Sequence, residues 1–149
     1  MSADTDLIKL YSQRILALAA DIPHHTRLNA PQASAKKRSP LCGSTVTVDL
    51  DMSDGKVSDF GQDVKACALG QAAASVVGRV VIGRTLDELT AARDQLAGML
   101  QGGDAPSAPF DGLEVLKPAA EFKNRHASIL LCLDATVEAA QTITGTKTA

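Results

Sequence analysis

The feature that most limits the fold of this sequence is a strand, a tight turn and a returning strand between residues 45 and 60. In STVTVDLDM, hydrophobic side chains alternate with polar ones, which is the period of a strand that has one face in a core. The face predicted to be buried carries Val46, Val48, Leu50 and Met52, and the opposite, polar face carries Thr45, Thr47, Asp49 and Asp51. The turn SDG and the segment KVSDF then predict an antiparallel hairpin.

Helical patterns surround this hairpin. Residues 4–20 repeat apolar side chains every three or four positions, and Pro23 ends that amphipathic helix. The run CALGQAAASVVGRVVI predicts a buried helix from Cys67 to Ile82, and Thr85 with Glu88 predicts a capping box for the next helix. Further predictions are an edge strand at Ala33 to Arg38, a loop at QGGDAPSAPFDG, a last helix from about Glu121 to Ala140, and a flexible tail over about residues 142–149. We therefore predict an α+β domain in which helices pack on one face of a small antiparallel sheet.

Length and charge exclude several classes of protein. With 149 residues, of which 45% are hydrophobic and 21% charged, the chain fits one domain over residues 1–149. Its 15 basic and 17 acidic residues give a net charge of −2, which argues against a broad surface for nucleic acid or anionic lipid. No apolar run reaches the roughly 18 residues of a membrane span, and the acidic start MSADTDLIKL is unlike a signal peptide. We therefore expect a cytoplasmic protein that binds neither nucleic acid nor a membrane.

Three cysteines are candidates for chemistry, namely Cys42, Cys67 and Cys132. An odd number in a chain without an export signal disfavours a disulfide framework and leaves metal binding, thiol chemistry or core packing. Cys42 stands twelve residues before Asp54 in the turn and Cys67 thirteen after it, so the hairpin brings both thiols to the same end of the sheet. Cys67 also stands where a strand changes to a helix, and a helix N-terminus stabilises a thiolate. The alternative for Cys67 is a buried small residue.

Four motifs, taken in order, resemble one known family. They are SPLCGS before the hairpin, DGKVSDFGQDVKACALGQAAASVV, IGRTLDEL, and RHASILL in the last helix. Over about residues 7–140 the chain is similar to the scaffold family of iron-sulfur cluster assembly, of the IscU, SufU and NifU N-terminal type. The resemblance implies a SufE/NifU-like fold, in which about five helices pack on one face of a three-stranded antiparallel sheet. The long loop from Gly102 to Leu116 resembles SufU, and the Leu-Pro-Pro-Val-Lys segment with which IscU proteins engage a dedicated chaperone has no counterpart before Arg125.

The sequence departs from this family at three positions. Ser44 replaces the acidic residue after Cys-Gly, Ala66 replaces the glycine before the second cysteine, and Ala127 stands where the family has its third cysteine. Cys132 does not replace that cysteine, because five residues of helix rotate a side chain by about 140° and advance it by about 7.5 Å. We therefore predict that Cys132 belongs to the core.

The resemblance also implies a set of site residues. Cys42 and Cys67 would accept sulfur, and Cys42, Cys67 and His126 would bind the metal or cluster, with Ser44 as a weak additional candidate. Two thiolates and an imidazole suit zinc, iron or a labile [2Fe-2S] cluster that a partner or water completes. The alternative for His126 is a surface or capping histidine whose hydrogen bonds are satisfied.

Other basic residues lie near these positions in the sequence. Lys36, Lys37 and Arg38 precede Cys42, so they could favour its thiolate or steer an acidic partner, whereas a solvated edge strand is the common explanation. His24 and His25 follow Pro23 without a nearby cysteine or carboxylate pattern, and we expect them to be solvated.

The residues and the resemblance together predict a scaffold-like protein of iron-sulfur cluster assembly. It would take sulfur from a cysteine desulfurase, hold iron, zinc or a labile [2Fe-2S] cluster, and serve cluster-accepting proteins. One alternative is a SufU-like, zinc-dependent persulfide acceptor, which is a sulfurtransferase-like role that needs one nucleophilic thiol. Another is a degenerate interaction module that keeps the fold without the cluster. A homodimer could supply the missing ligand, whereas no paired carboxylates, Ser-His-Asp order or phosphate-binding glycine loop suggests acid-base catalysis.

Overall fold

The computed structural model describes residues 12–40 and 43–145 of the chain. Four α-helices, three strands and two 3-10 helices make up this part. The α-helices are α1 (Gln13–Ala20), α2 (Ala68–Val80), α3 (Leu86–Leu100) and α4 (His126–Thr144). The strands are β1 (Ala33–Arg38), β2 (Thr45–Ser53) and β3 (Lys56–Lys65), and the 3-10 helices are Phe110–Glu121 and Lys123–Arg125.

The three strands form one antiparallel sheet in the order β1-β2-β3, which confirms the predicted α+β class and the edge strand. Asp54 and Gly55 both have positive φ, 54° and 77°, and they connect the paired residues Ser53 and Lys56. Two such residues are what a two-residue hairpin turn of type I′ requires. The predicted inner face is confirmed, since Val46, Val48, Leu50 and Met52 are all buried. Helix α4 lies against this face, across β1 and β2.

The opposite face of the sheet differs from the prediction at Asp49. This residue was expected among solvent-facing polar positions, but it is fully buried. Arg27 donates two hydrogen bonds to its carboxylate, at 2.6 and 3.0 Å, and the Leu28 N–H donates a third at 3.0 Å. The segment of residues 21–32, here named the strap, covers the middle of the outer face and supplies these donors. Ser34 Oγ also donates to Asp49 at 2.5 Å.

The strap also closes the free edge of β3. The carbonyl of His24 accepts a hydrogen bond from the Gln62 N–H at 3.0 Å, and His25 Nε2 accepts one from the Val64 N–H at 3.3 Å. Both histidines are exposed, as expected, yet each satisfies a backbone donor that a bare edge would present to other chains. The strap passes so close to β3 that a Cβ at Gly61 would collide with the Thr26 carbonyl oxygen.

The helix ends agree with the sequence in part. The predicted capping box is confirmed, because Thr85 Oγ1 accepts from the Glu88 N–H and the Glu88 carboxylate accepts from the Thr85 N–H. Helix α4 begins at His126, five residues later than predicted, because the 3-10 helix containing Pro118 and a short 3-10 turn occupy the preceding segment. It continues to Thr144, and Gly145 follows with φ of 76°. Residues 1–11 of the predicted first helix and 146–149 of the predicted tail lie outside the described residues.

Across residues 12–40 and 43–145, every helix is too short or too polar to cross a lipid bilayer.

Candidate functional site

The candidate site lies at the end of the sheet opposite the hairpin turn. The last pair of β2 and β3 is Thr45 with Lys65, so Ser44 enters β2 at this end and Cys67 leaves β3 here. Cys67 has extended backbone angles, φ −66° and ψ 169°, and is the N-cap of α2. Its side chain is half-buried. The predicted partner, Cys42, precedes Ser44 by two positions in the sequence and lies outside the described residues.

A chain of three side chains connects Cys67 to the start of β2. Cys67 Sγ lies 3.4 Å from Ser128 Oγ, where either atom can donate, and Ser128 Oγ donates to Ser44 Oγ at 3.3 Å. Ser44 and Ser128 are both buried. The structure therefore brings together two residues predicted from the sequence, Ser44 and Cys67, through Ser128, to which the sequence reading assigned no role at the site.

Close approach of α2 and α4 makes this contact possible. A Cβ placed on Gly70, one turn into α2, would come within 2.8 Å of Ser128 Oγ and within 3.1 Å of the Ser128 carbonyl oxygen. Real Cβ atoms do not tolerate the shorter distance, so any larger residue at position 70 would push α4 away from α2. Gly70 thus sets the separation that holds Ser128 beside Cys67.

The N-termini of two helices meet at this contact. Cys67 caps α2 and Ser128 is in the first turn of α4, whose N-cap is Arg125. Neither helix has an acidic residue in its first turn, and neither N-cap side chain accepts a hydrogen bond from the helix. The first N–H groups of a helix have no partner within the helix and carry a partial positive charge. The site is therefore suited to an anion such as a thiolate or persulfide.

His126 faces a different part of the molecule. Its Nε2 lies 3.0 Å from the carbonyl oxygen of Ala119 and 3.1 Å from that of Ala120, and its side chain is buried. Because a carbonyl oxygen can only accept, Nε2 carries the proton, and the neutral ring keeps its lone pair on Nδ1. His126 and Ser128 are two residues apart, about 200° around the helix, so they project from nearly opposite sides of α4. Any metal bound by His126 would use Nδ1.

Cys132 is in the core, as predicted. It is fully buried, and its thiol donates to Gln62 Oε1 at 3.3 Å. Burial raises the pKa of the Cys132 thiol to about 12, so it stays protonated at neutral pH. Gln62 is itself buried, and its Nε2 donates to the carbonyl oxygens of Pro23 at 3.1 Å and Ala74 at 3.2 Å. Cys132 is thus part of the internal packing and is remote in chemistry from the site.

Metal ligands at the site are few within the described ranges. No group of three or more His, Cys, Asp or Glu side chains comes together among residues 12–40 and 43–145. Cys67 supplies one thiolate, His126 supplies Nδ1, and Ser44 supplies a neutral hydroxyl, which is a weak ligand for soft metals. The predicted set of Cys42, Cys67 and His126 stays a prediction.

Comparison with known families and sequences places these residues in context. Residues 10–125 match the family model described as the NifU-like N terminal domain. The chain is 27% identical over 117 residues to an iron-sulfur cluster assembly scaffold protein IscU of Streptococcus pyogenes serotype M1, covering 78% of this chain and 73% of that protein. It is 22% identical over 134 residues to an IscU scaffold protein of Thermotoga maritima, covering 90% and 94% of the two chains.

Solved structures share the fold. A NifU-like protein (N-terminal) from Brucella abortus superposes with a TM-score of 0.91 at 45% sequence identity, covering 95% of this chain and 99% of that one. A putative scaffold protein for the SUF system from Fervidobacterium islandicum superposes with a TM-score of 0.80 at 19% identity, covering 89% and 98%. The second likeness concerns the fold alone, and it agrees with the three-stranded sheet and the helices packed on it.

Proposed function

Because the chain belongs to the family of NifU-like N-terminal domains, we propose that it is a scaffold-like protein of iron-sulfur cluster assembly that accepts sulfur on cysteine and holds iron or a labile [2Fe-2S] cluster as its cargo. The observation that carries this proposal is the position of Cys67. Its thiol is half-buried at the N-terminus of α2, beside Ser128 and at the same sheet end as Ser44. Cys42, two positions before Ser44, is the second thiol in the proposal.

Sulfur transfer would proceed by thiol–persulfide exchange. The Cys67 thiolate attacks the outer sulfur of a persulfide on the donor protein; a new S–S bond forms at Cys67 as the donor's S–S bond breaks. The donor's inner sulfur leaves as a thiolate, the outer sulfur keeps its proton, and no net oxidation occurs. Ser128 can donate its hydroxyl hydrogen to the Cys67 sulfur while the sulfur is anionic. The partial positive charge at the two helix N-termini favours the same anions.

Zinc is the resident metal that the family resemblance allows. Zinc in proteins takes four ligands, usually thiolates and imidazoles. The described residues supply the Cys67 thiolate and the His126 Nδ1, so a zinc site would also need Cys42 and one further ligand. Zinc bound there would organise these side chains and hold the thiolates deprotonated. The residues that would bind it are Cys42, Cys67 and His126.

A second candidate function is the SufU-like, zinc-dependent sulfur acceptor. It is favoured by Ala127, which stands where the family has its third cysteine, and by His126, whose Nε2 is already bonded to backbone carbonyls. A cluster carrier is weakened by the loss of a thiolate ligand, whereas a persulfide acceptor needs only one nucleophilic thiol. A degenerate interaction module would have neither property. The cytoplasmic location and the partners, a cysteine desulfurase and cluster-accepting proteins, remain predictions from the sequence.

The test is to purify the full chain without oxygen and measure iron, zinc and acid-labile sulfide, then incubate it with a cysteine desulfurase and cysteine and record persulfides by mass spectrometry. The matched variants are Cys42→Ala, Cys67→Ala and, as a control on a buried thiol, Cys132→Ser. Iron and sulfide that disappear in the first two variants and persist in the control support the scaffold. Zinc or no metal, together with one added sulfur on Cys42 or Cys67, supports the acceptor. If the wild type carries neither metal nor persulfide, both candidates are wrong.

A further inference from the structure

The charged side chains of the outer sheet face are segregated along the strands. In the row at the site end, Arg38 of β1 and Lys65 of β3 both pair with Thr45 of β2. Side chains directly opposite one another lie on the same face, and neighbouring strands are about 4.8 Å apart, so these two cations lie about 10 Å apart across Thr45. The next row carries Lys36 and Asp63, which both pair with Thr47.

The opposite end of this face is acidic. Asp51 pairs with Asp59 in the row near the turn, and Asp54 is in the turn itself. This end carries one exposed lysine, Lys56. The separation of positive and negative ends is therefore a property of the site, since the whole chain has a net charge of −2.

More cations precede α4, at the other side of the site. Lys123 is exposed and Arg125 is half-buried, in the 3-10 turn that leads into the helix bearing Ser128. We name the five residues that surround the Cys67–Ser128 contact the cationic rim: Lys36, Arg38, Lys65, Lys123 and Arg125. Within residues 12–40 and 43–145, the ion pair of the rim is the long one between Lys65 Nζ and Asp63, at 3.9 Å.

These cations stand where helices disfavour them. Positive charge at a helix N-terminus opposes the helix dipole, and acidic residues are preferred there. Helix α3, away from the site, follows that preference, with Asp87 and Glu88 in its first turn and a capping box. In α2 and α4 the preference is reversed, because Lys65 precedes one and Arg125 caps the other, and neither has an acidic first turn. Departures from a local stability rule at one place in a fold indicate a functional demand there.

We propose that the cationic rim is the docking surface for an acidic face of the cysteine desulfurase that delivers sulfur to Cys67. This inference rests on the proposed function and adds the chemistry of the partner's surface. Exposed charges of one sign raise the association rate of a partner of opposite sign. The rim surrounds the thiol, so an acidic face docked on it would place the donor's persulfide next to Cys67. The net negative charge of the rest of the chain would orient the encounter toward this end.

The test uses charge reversal with a matched control. Arg38→Glu with Lys65→Glu removes two rim cations, whereas Lys56→Glu with Lys117→Glu makes the same change in net charge at exposed positions outside the rim. Persulfide transfer from a purified cysteine desulfurase to the full chain is followed at 50 and 300 mM salt over a range of desulfurase concentrations. We expect the rim variant to be ~10-fold or more slower at low salt and limiting desulfurase, and to approach the wild-type rate at saturating desulfurase.

Two further readouts separate docking from folding and from another ligand. Lys65→Glu puts a negative charge ahead of the α2 N-terminus, so the rim variant should unfold at the same temperature as the wild type or higher. The difference between rim and wild-type rates should shrink at 300 mM salt, while the control variant stays within about twofold of the wild type at both salts.

The outcomes discriminate. If the wild type accepts sulfur and the rim variant is as fast, the docking proposal is wrong and the proposed function stands. If the wild type accepts no sulfur, the proposed function fails and the docking proposal falls with it. If the rim variant instead loses binding to a fluorescent single-stranded oligonucleotide without slowing transfer, the rim serves nucleic acid and the proposal is overturned.

Discussion

The Cys67 thiol sulfur lies 3.4 Å from the Ser128 hydroxyl oxygen, across the boundary between two helix N-termini. Their separation in sequence is 61 residues, so packing of α2 against α4 creates the pair. Ser128 is the nearest described polar partner of the thiol, and it follows the position at which the family carries its third cysteine. A hydroxyl at this point can serve a sulfur anion without competing for metal.

Replacing Ser128 with alanine should make Cys67 less reactive. The hydroxyl is a hydrogen-bond donor to the anionic sulfur, and a bond of this kind is worth enough to change the rate by about threefold at fixed pH. The measurement is the rate of iodoacetamide alkylation at Cys67, read by peptide mass spectrometry. Thr136→Ala removes another buried hydroxyl of α4, one that donates to the Cys132 carbonyl oxygen at 2.7 Å, and should leave that rate unchanged. Equal rates in wild type and Ser128→Ala would assign Ser128 to packing alone.

Two glycine-to-alanine changes in helices should have opposite signs. Gly70→Ala forces Ser128 away and should lower the free energy of unfolding by about 2 kcal/mol. Gly98→Ala in α3 meets no atom within 4 Å and should raise the free energy by about 0.5–1 kcal/mol through helix propensity. Urea unfolding followed by circular dichroism measures both, since the chain has no tryptophan. A neutral or stabilising Gly70→Ala would mean that the two helices can separate freely at the site.

Cys132 should resist alkylation in the folded protein. Its thiol is fully buried and its pKa is raised to about 12, so it is accessible and ionised only after unfolding. Cys132→Ser keeps a donor to Gln62 Oε1, whereas Cys132→Ala leaves that buried oxygen without its partner and should cost about 1–2 kcal/mol more stability. Thiol labelling in native and unfolded protein, with urea unfolding of the two variants, checks both statements. Rapid native labelling at Cys132 would contradict its place in the core.

Asp49→Asn should destabilise the protein by about 2 kcal/mol at neutral pH, since a buried carboxylate with four donated hydrogen bonds loses its charge. Burial alone would raise the pKa of Asp49, but the hydrogen bonds from Arg27, Ser34 and Leu28 outweigh it and lower the pKa in the folded state. The unfolded chain therefore binds a proton more readily, so this stabilisation is complete above about pH 4 and is lost as the pH falls through the folded pKa.

The measurement is urea unfolding of wild type and Asp49→Asn between pH 3 and pH 8. Their difference should be constant at the upper end and shrink below about pH 4. Asp51→Asn is the control, because Asp51 is half-buried and accepts one bond from the Gln32 N–H at 2.8 Å, and it should change stability by about 0.5 kcal/mol or less. A difference that persists unchanged at pH 3 would show that the charge on Asp49 is irrelevant.

Restoring the family's ligands should tighten metal binding. Ser44→Asp with Ala127→Cys adds two anionic donors at the positions that the resemblance assigns to ligands, and we expect zinc affinity to rise by ~100-fold. Competition with a chromogenic chelator measures the affinity, and each single variant should account for part of the gain. Unchanged affinity in the double variant would mean that these positions do not correspond to the family's ligands.

The sequence predicted best what neighbours along the chain decide. The hairpin, its Asp54–Gly55 turn and the capping box at Thr85 each depend on a few adjacent residues, and the structure has all of them. The burial of Asp49 depends on Arg27, 22 residues away, in a segment with no periodic pattern of its own. Alternation along β2 therefore marked Asp49 as exposed, because the pattern carries no information about what covers the second face.

The site was predictable in the same limited sense. Symmetric spacing about the turn placed Cys67 at the correct end of the sheet, and the helix geometry correctly kept Cys132 in the core. Ser128 escaped notice because its role depends on how closely α2 and α4 approach. One usable signal was present, since Gly70 lies one turn after Cys67 in a small-residue helix, and such a helix invites close contact.

The buried amide of Gln62 has a consequence for how the molecule moves. Through one side chain it joins the strap at Pro23, helix α2 at Ala74 and helix α4 at Cys132 to strand β3. Lifting any one of these segments strands a polar group in the core, at a cost of about 1–3 kcal/mol. The four segments should therefore exchange their protected amide hydrogens with solvent as one cooperative unit. Cys67 and Ser128, carried by the two helices in that unit, would then keep their alignment through local fluctuations and lose it only when the unit opens.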